Sequence, residues 1–546
     1  MNDGTRVQWR AWSREAFEEA EDRDAPILLS LTARWCDSCH EMDAETYAVP
    51  TIAANLNDDF VPVRVDVDRH PRVRDRYNMG GFPSTVFLTP DGAVLTGAGY
   101  LGQDGMRQVL ARVRTLWETK GAGAGRIPRP LREDEPPAGT LTEEVEAGML
   151  GQLTVAYDEI AGGWGERPKF PLPGALEFAL KRDREMALRS FDAVSANLLD
   201  EYEGGFYRYA LESDWSDVQH EKLLDENAAL VRAFAHAYCY TGREEYRAPA
   251  DRTIDYLTTT LWNADAGAFA GSQAPAIAES YTLEPSDREA ADDPPVDDTV
   301  FAGANALAVD GLLAYYAYTD DDSARQYAER ALEHLRTELL EDGVVTHYRV
   351  ADEAGEPCLL ANQARVLEAL TSARSVLGRD TLEEATTVVE MTVERLRDGD
   401  SFLDGPGEGH GLCGRPLRPL DANVEFADGL VDLAVLTGDR RYRELAFETL
   451  AAFAGASDRF GPGVARYASV VTRLLEEPLV VRVADDAGSD LHRAALRVAD
   501  HEKVVVPDAT ADGLESGTAR VERGERVSDV AETPAELGDR LQSVLE

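Results

Sequence analysis

Arg34-Trp35-Cys36-Asp37-Ser38-Cys39-His40 follows an apolar run, Pro26-Ile27-Leu28-Leu29-Ser30-Leu31, and precedes a stretch with helical character, Glu41-Met42-Asp43-Ala44-Glu45-Thr46-Tyr47. The apolar run has the length of a strand and is bounded by a proline. A helix beginning at this seam offers unpaired N–H groups and a partial positive charge, which stabilise a thiolate on the first cysteine. The second cysteine lies one turn on, near enough to close a disulfide. Cys36 is therefore the expected nucleophile and Cys39 the resolving thiol. The competing assignment is half of a zinc site. That needs four ligands, and the chain has no second Cys-x-x-Cys; His40 and His70 are the nearest further candidates.

A second stretch, Gly80-Gly81-Phe82-Pro83-Ser84-Thr85-Val86-Phe87-Leu88, sets a proline before a β-branched and aromatic strand. Together the two stretches resemble thioredoxin-like folds, which carry a cis proline in that place, facing the active cysteines. The resemblance favours redox chemistry over metal and makes Trp35 and Pro83 supports of the redox site. The order of elements agrees. Trp9, Trp12, Phe17 and Ala20 mark an opening helix capped by Ser13. Thr51 to Leu56 reads as helix, Phe60 to Val67 as strand and Val73 to Tyr77 as a short helix. Pro90-Asp91-Gly92 turns a hairpin, and Gly105 to Trp117 is a closing amphipathic helix.

With 546 residues, two or three domains are expected. No apolar run reaches membrane-spanning length, and Met1-Asn2-Asp3-Gly4 has the marks of no targeting segment, so a cytoplasmic location is expected. The net charge is −46, and the only lysines are Lys120, Lys169, Lys181, Lys222 and Lys503. Acid excess with lysine depletion points to a salt-saturated, halophilic cytosol, where a carboxylate surface stays hydrated and its self-repulsion is screened. It speaks against nucleic-acid binding, since nothing supplies a basic face. Besides the close pair there are Cys239, Cys358 and Cys413, an odd total that suits a reducing compartment. Cys239 and Cys358 read as core, and Cys413 as a loop cysteine near His410.

Residues 120–139, rich in glycine and proline, read as a linker between a thioredoxin-like domain (1–119) and a helical region. From 140 to 476 the texture is helical, with patterns near 141–160, 173–182, 184–200, 222–241, 244–261, 301–318, 322–340, 361–377, 380–397, 423–437, 439–455 and 462–475. Tyr240-Thr241-Gly242 recurs as Leu436-Thr437-Gly438 and more faintly as Tyr318-Thr319-Asp320. Gly162-Gly163-Trp164, Gly204-Gly205-Phe206 and Gly267-Ala268-Phe269 form a second echo. Twelve helices in six hairpins predict an (α/α)6 toroid, with an open α-solenoid as the alternative. Residues 477–546 predict a small α/β appendage, with strands at 478–483 and 501–506 and a last helix capped by Thr533 and opened by Pro534. The fold class is thus multidomain, α/β plus all-α.

The chain as a whole resembles the YyaL-like, spermatogenesis-associated thioredoxin-like proteins, in which a thioredoxin-type domain is fused to a six-hairpin domain. The resemblance rests on Cys36, Cys39, His40 and Gly81-Phe82-Pro83. In the helical part it rests on Gly162-Gly163-Trp164-Gly165, Pro168-Lys169-Phe170-Pro171, Gly204-Gly205-Phe206-Tyr207-Arg208-Tyr209 and His220-Glu221-Lys222-Leu223-Leu224-Asp225-Glu226-Asn227. It implies a toroid similar to those of sugar 2-epimerases and six-hairpin glycosidases. There are departures. Ser30 stands where many thioredoxins bury an aspartate, and Asp37 beside Cys36 opposes thiolate formation. In the toroid Ala304-Asn305 replaces a Trp-Asn, and the Ser272–Val296 region lacks an Asp-Ala-Asp.

His220, Glu221, Lys222, Asp225 and Asn227, with Lys169 and Trp215, are the candidate toroid site. Asp297, Asp298, Asp421 and Glu425 are candidate carboxylate partners. A histidine and a carboxylate at a toroid mouth suit acid–base work on a sugar. In a chain that has shed nearly all lysine, Lys169 and Lys222 survive inside the two best motifs, and both ammonium groups are expected to be enclosed against Glu221, Asp225 or a ligand. Three functions fit: a thiol–disulfide oxidoreductase whose toroid recognises the substrate, a carbohydrate-active toroid with an accessory redox domain, and a binding scaffold without catalysis. The second predicts a cleft lined by Trp164, Phe206, Tyr207 and Trp215 near His220. The first is preferred. Its partners are a protein thiol or disulfide or a small sugar ligand, with no nucleic acid, no membrane, no metal and no cofactor.

Overall fold

The computed structural model describes residues 5–131, 135–277, 280, 281, 283, 288, 293–351 and 353–545. Met1–Gly4 and most of 278–292, which includes part of the Ser272–Val296 region, lie outside the described residues. The chain forms two compact units: Met1–Glu135 with Leu403–Leu417, and Pro136–Phe402 with Arg418–Glu546.

The first unit runs α1 (Arg14–Asp22), β1 (Ile27–Thr32), α2 (Asp37–Met42), α3 (Pro50–Asp59), β2 (Val61–Asp66), α4 (Pro71–Tyr77), β3 (Ser84–Leu88), β4 (Val94–Ala98) and α5 (Gln103–Lys120). The sheet order is β2-β1-β3-β4, with β1 parallel to β2 and antiparallel to β3. This is the thioredoxin arrangement. β1 reads as a largely apolar run, buried at five successive positions, because it lies at the sheet's centre with both faces covered. Leu28, Met42, Tyr47, Leu56, Phe87 and Met106 share the core on one face. The stretch after α5 is less irregular than its glycines and prolines imply. Gly121–Ala124 and Arg129–Leu131 form 3-10 turns, and Arg126 exchanges backbone hydrogen bonds of 2.9 Å with Val94.

Leu403–Leu417 falls in sequence between two toroid helices, inside the range expected to be toroid, yet it completes the first unit. Two arginines on α4 explain why. Arg76 grips Asp404 with both terminal nitrogens, at 2.6 and 3.1 Å, and donates to the carbonyls of Leu412 (2.8 Å) and Arg415 (2.8 Å). Arg72 reaches Asp404 at 3.3 Å and the Cys413 carbonyl at 2.6 Å. The Tyr77 hydroxyl accepts from Leu412 N–H and donates to the Gly92 carbonyl. Gly92 has φ +85°, and a Cβ there would stand 2.3 Å from Gly411 Cα, so no other residue fits.

The second unit begins with α6 (Glu144–Ala156), α7 (Pro173–Arg182), α8 (Arg184–Leu198), α9 (Leu224–Thr241), α10 (Glu244–Tyr256) and α11 (Ala302–Thr319). It continues with α12 (Asp322–His334), α13 (Leu360–Leu377), α14 (Leu382–Leu396), α15 (Leu420–Thr437), α16 (Arg440–Ala451) and α17 (Ala465–Glu476). Helices α7, α9, α11, α13, α15 and α17 pack each on the next, and α17 packs back on α7. The ring closes, so the fold is a toroid and not an open solenoid. The outer helices α8, α10, α12, α14 and α16 each back the inner helix before them, while α6 backs α17. The sixth pair therefore joins the first and last helices of the toroid.

The inner helices α9, α11, α13 and α15 are each 18 residues long and are stopped by a left-handed residue: Gly242, Asp320, Gly378 and Gly438. The Thr-Gly echoes in the sequence are these stops. The fourth residue of each is an amide, and it clasps the short hairpin before its helix. Asn227 Oδ1 accepts from Phe206 N–H (2.6 Å) and Nδ2 donates to the Phe206 carbonyl (3.1 Å). Asn305 does the same to Phe269 (2.8 and 2.9 Å) and Asn423 to Phe402 (2.9 and 3.0 Å). Gln363 accepts from Val345 N–H at 2.7 Å and donates to Gly343 at 2.9 Å. The clasped residue also pairs with the end of the preceding outer helix: Leu199 with Phe206, Trp262 with Phe269, Leu340 with Val345, Arg397 with Phe402. The Gly-Phe echo marks these hairpins.

The C-terminal segment forms β5 (Val480–Ala484), α18 (Asp490–Leu496), β6 (Val504–Val506), β7 (Thr518–Arg523), β8 (Arg526–Val527) and α19 (Pro534–Leu545), with sheet order β6-β5-β7-β8. It belongs to the toroid's compact unit. β6 packs on α13 and α15, and α18 on α11. Lys181 reaches Asp500 (2.7 Å) and Glu502 (2.8 Å), and His492 Nε2 lies 2.8 Å from the Ser375 carbonyl. It thus caps the C-terminal ends of the inner helices. Among the described residues, no helix is long and apolar enough to cross a membrane.

Two outcomes are expected from equilibrium urea denaturation. Asp404→Ala removes the carboxylate that two buried guanidiniums share and lowers the stability of the first unit by about 3–5 kcal/mol. Asn305→Ala strands the Phe269 backbone groups and lowers that of the toroid by about 2–4 kcal/mol.

Candidate functional site

β1 delivers the chain to Ala33, whose carbonyl accepts the Cys36 N–H at 3.2 Å. Cys36 is the N-cap of α2, with extended backbone, and its Sγ accepts the Cys39 N–H at 3.2 Å. The two sulfurs are bonded, with a Cα–Cα distance of 5.2 Å. Both cysteines are buried, while Asp37, Ser38 and His40 face solvent. The acid beside Cys36 is therefore hydrated, which weakens its expected opposition to a thiolate. The Trp35 indole donates to Asp68 at 2.7 Å and meets the Phe82 ring edge-on at 5.9 Å. Phe82–Pro83 is cis. Asn78 Oδ1 accepts from both Gly80 and Gly81 N–H at 2.8 Å, and the Ser84 hydroxyl donates to the Gly81 carbonyl at 2.7 Å, so this loop is fixed by its own hydrogen bonds.

On the strand that leads to the pair, Ser30 is buried opposite Thr85 on β3. Tyr47 closes this layer. Its burial pushes the phenol above its usual value, with the Thr85 and Ser30 hydroxyls acting the other way. Where many thioredoxins hold a buried carboxylate, this chain holds neutral hydroxyls.

In the toroid the predicted residues separate into supports and a mouth. Lys169 and Lys222 are both enclosed, as expected, but their partners differ from Glu221 and Asp225. Lys169 pairs with Asp158 (2.7 Å) and the Ser213 carbonyl, and Lys222 with Asp200 (2.8 Å) and the Gly204 carbonyl. Burial opposes ionisation of Asp200, yet Lys222 outweighs it and holds the acid near 2. Each lysine braces the turn that carries a Gly-Gly hairpin. Asn227 is wholly spent on its backbone clasp. Trp164, Phe206 and Trp215, expected to line a cleft, are all core, and the Trp215 indole donates to the Ala161 carbonyl at 3.0 Å. His220 stacks on Tyr281 at 3.7 Å and meets the Tyr207 edge at 4.7 Å. Burial drives its pKa down to about 4.

The remaining candidates gather around arginines. Arg208 lies 3.3 Å from both Glu221 and Glu226, and burial pushes Glu226 up to about 8. Arg365 holds Glu425 at 3.0 Å, and burial raises Asp421. Asp297 is buried and accepts from the Thr299 hydroxyl at 2.8 Å, while Asp298 beside it in sequence is exposed. Cys413 is buried in its loop, and Cys239 and Cys358 carry no bridge.

Sequence reasoning passed over the charges deeper in the bore. The ninth residue of each inner helix from α9 to α17 is charged: Arg232, Asp310, Glu368, Asp428 and Arg473. Arg232 binds Glu177 (2.9 Å) and Asp310 (2.8 Å); Arg466 binds Glu368 and Asp428; Arg473 binds Asp428 and Asp432. The signal was a charge five residues after an amide in otherwise apolar helices, as in Asn227/Arg232 and Asn423/Asp428.

Fold and site define a thioredoxin-type unit, with an intact Cys-x-x-Cys, joined to an (α/α)6 toroid. For the first unit, comparison with known proteins agrees. The Thioredox_DsbH family, described as a protein of unknown function (DUF255), matches residues 2–126. Thioredoxin-1 of Drosophila melanogaster is 32% identical over 81 residues, which cover 72% of it and 15% of this chain. Human spermatogenesis-associated protein 20 is 29% identical over 309 residues, 49% of this chain and 39% of that protein. The first unit belongs to the thioredoxin family, and over about half its length the chain is similar to the spermatogenesis-associated proteins. The alignment spans about two-fifths of the length of the mammalian relatives. Among solved structures, a D-mannose isomerase aligns with TM-score 0.48 at 11% identity over 61% of this chain and 96% of its own. Cellobiose 2-epimerase of Spirochaeta thermophila aligns with TM-score 0.46 at 18% identity over 56% of this chain and 82% of its own.

The neutral His220 makes the toroid acid-sensitive. The folded state binds this proton more weakly than the unfolded chain. The stability it contributes is therefore whole above about pH 6.5 and is lost as pH falls towards 4. His220→Phe is expected to remove up to about 3 kcal/mol of the stability difference between pH 7 and pH 4, read by urea denaturation at both.

Proposed function

We propose that this protein is a thiol–disulfide oxidoreductase working through Cys36 and Cys39, with the toroid recognising its substrate. The observation that carries the reading is the bonded Cys36–Cys39 pair at the N-cap of α2, its first sulfur accepting a helix N–H. In the reduced state that N–H and the helix terminus favour negative charge on Cys36. The Cys36 thiolate attacks a substrate disulfide, forming a mixed disulfide and expelling one substrate thiolate. The Cys39 thiolate then attacks the Cys36 sulfur, releasing the second substrate thiolate and leaving Cys36–Cys39 oxidised. Two electrons pass from the dithiol to the substrate. Run in reverse, the same steps oxidise a substrate dithiol. With a hydroxyl layer below the pair instead of a carboxylate, the Cys39 proton has no buried acid to accept it and leaves towards solvent. This supports a slow exchanger tuned to particular partners.

A carbohydrate-active toroid is the second reading. One observation favours it: Glu226, held protonated near neutral pH, shares Arg208 with the carboxylate of Glu221, a pairing of unlike acids that suits general acid–base work. The bore beneath is filled by paired arginines and carboxylates, which leaves less room for a sugar than in an open cleft.

The test is a redox titration of the full chain in concentrated salt, with alkylation and mass readout. The expected result is a reversible two-electron couple near the cytosolic thiol poise, and a Cys39→Ser variant that accumulates mixed disulfides. A pair that stays oxidised or reduced across the whole range would overturn the oxidoreductase and leave the toroid reading standing.

A further inference from the structure

Where the bore meets the C-terminal cap, it holds a cavity of about 180 Å³. The inner helices line its wall, and Leu496 and His501–Val505 of the cap close its end. Its charges do not balance. Three guanidiniums, Arg232, Arg466 and Arg473, face five carboxylates: Glu177, Asp310, Glu368, Asp428 and Asp432. Glu502 at the rim is answered outside the cavity by Arg182 (2.6 Å) and Lys181. His236 stands 3.2 Å from Glu177, which Arg232 already holds, and stacks on His501, which burial drives down to about 3 and keeps neutral. Lys503 brings one ammonium. One carboxylate is left over.

The geometry identifies it. Arg466 holds Glu368 through Oε1, whereas the buried Oε2 has no hydrogen-bond partner among the described residues. Glu368 is 6% exposed and lines the cavity. Asp310, its neighbour in the ring, is satisfied by Arg232 and by the Ser372 hydroxyl at 2.5 Å. An orphaned carboxylate oxygen in a cavity with room for several atoms calls for a hydrogen-bond donor carrying positive charge. A single free oxygen does not make the oxygen cage that a hard metal ion needs, but it suits an N–H donor. The chain itself shows that the place accepts an ammonium: Lys503 lines the same cavity, its Nζ 5.4 Å from the centre of the Tyr318 ring and donating to the Asp500 carbonyl at 3.2 Å.

We infer that this axial cavity is a binding site for a small primary-ammonium compound, seated against Glu368 Oε2. The site shares no lining residue with the His220 mouth and is independent of the cysteine pair. Burial raises the Glu368 carboxyl above its ordinary value, so the acid tends to keep its proton until a seated ammonium takes that place, and binding releases the proton.

The probe is putrescine, added to the full-length protein against sodium chloride of equal ionic strength, with melting temperature and calorimetric titration as readouts. A saturable rise of about 3 °C or more is expected. It is lost in Glu368→Gln, which keeps the shape and the bond from Arg466 but removes the charge. It is also lost in Ala314→Leu, which fills the cavity without touching a charged group and serves if Glu368→Gln fails to fold. No rise beyond the sodium chloride control, or an equal rise in both variants, would overturn the inference.

Discussion

An amide side chain gripping a backbone is the interaction on which the toroid depends. Helix packing alone does not set the rotation of an inner helix about its own axis. The clasp does: Asn227, Asn305, Gln363 and Asn423 each tie the first turn of an inner helix to the hairpin that leads into it. With the fourth residue facing the hairpin, the ninth faces the axis, because five residues turn an α-helix by about 500° and leave the two side chains about 140° apart. The charges of the bore, in the middle of each helix, are thus placed by bonds made five residues earlier in its first turn. This is also why Asn227 is unavailable to a ligand: both its donor and its acceptor are committed.

The bore itself is an expensive structure. Ions inside a protein lose water that their partners only partly replace. The chain meets this with arginine, whose planar fork serves two carboxylates at once, as Arg232, Arg466 and Arg473 do. Four of the five lysines that remain do a different kind of work. Lys169 and Lys222 each satisfy one aspartate and one carbonyl at a tight turn. Lys181 and Lys503 act at the cap. A compact ammonium fits such corners better than a guanidinium, which explains why these positions resist the general loss of lysine.

Much of this was legible in the sequence. The twelve helices, the β-order of the first unit and the cysteine pair at a strand–helix seam all follow from periodicity and punctuation. The echoes at Gly242 and Gly438 and at Gly205-Phe206 were visible too, though their meaning was not. A repeat shows that something is built several times, without saying whether it binds or braces. His220, Lys222 and Asn227 cluster in a motif because a hairpin, a brace and a clasp fall together there. Trp215 was drawn into the same motif and proves to be core. The partners of the lysines, Asp158 and Asp200, lie 11 and 22 residues upstream, and nothing in their local sequence sets them apart in a chain so rich in acid. The role of Leu403–Leu417 could not be read at all, since it rests on Arg72 and Arg76, more than 300 residues earlier.

That excursion of the chain also orders events in time. A ribosome finishes every strand and α-helix of the first unit long before it reaches Asp404. Until then α4 carries two guanidiniums and a tyrosine hydroxyl meant for a surface that has not yet been made. The first unit, though first in sequence, can reach its final form only after most of the toroid has been synthesised. The nascent cysteine pair therefore passes through a long interval in an unfinished domain, during which its protection from stray thiols rests with the cell and not with the fold.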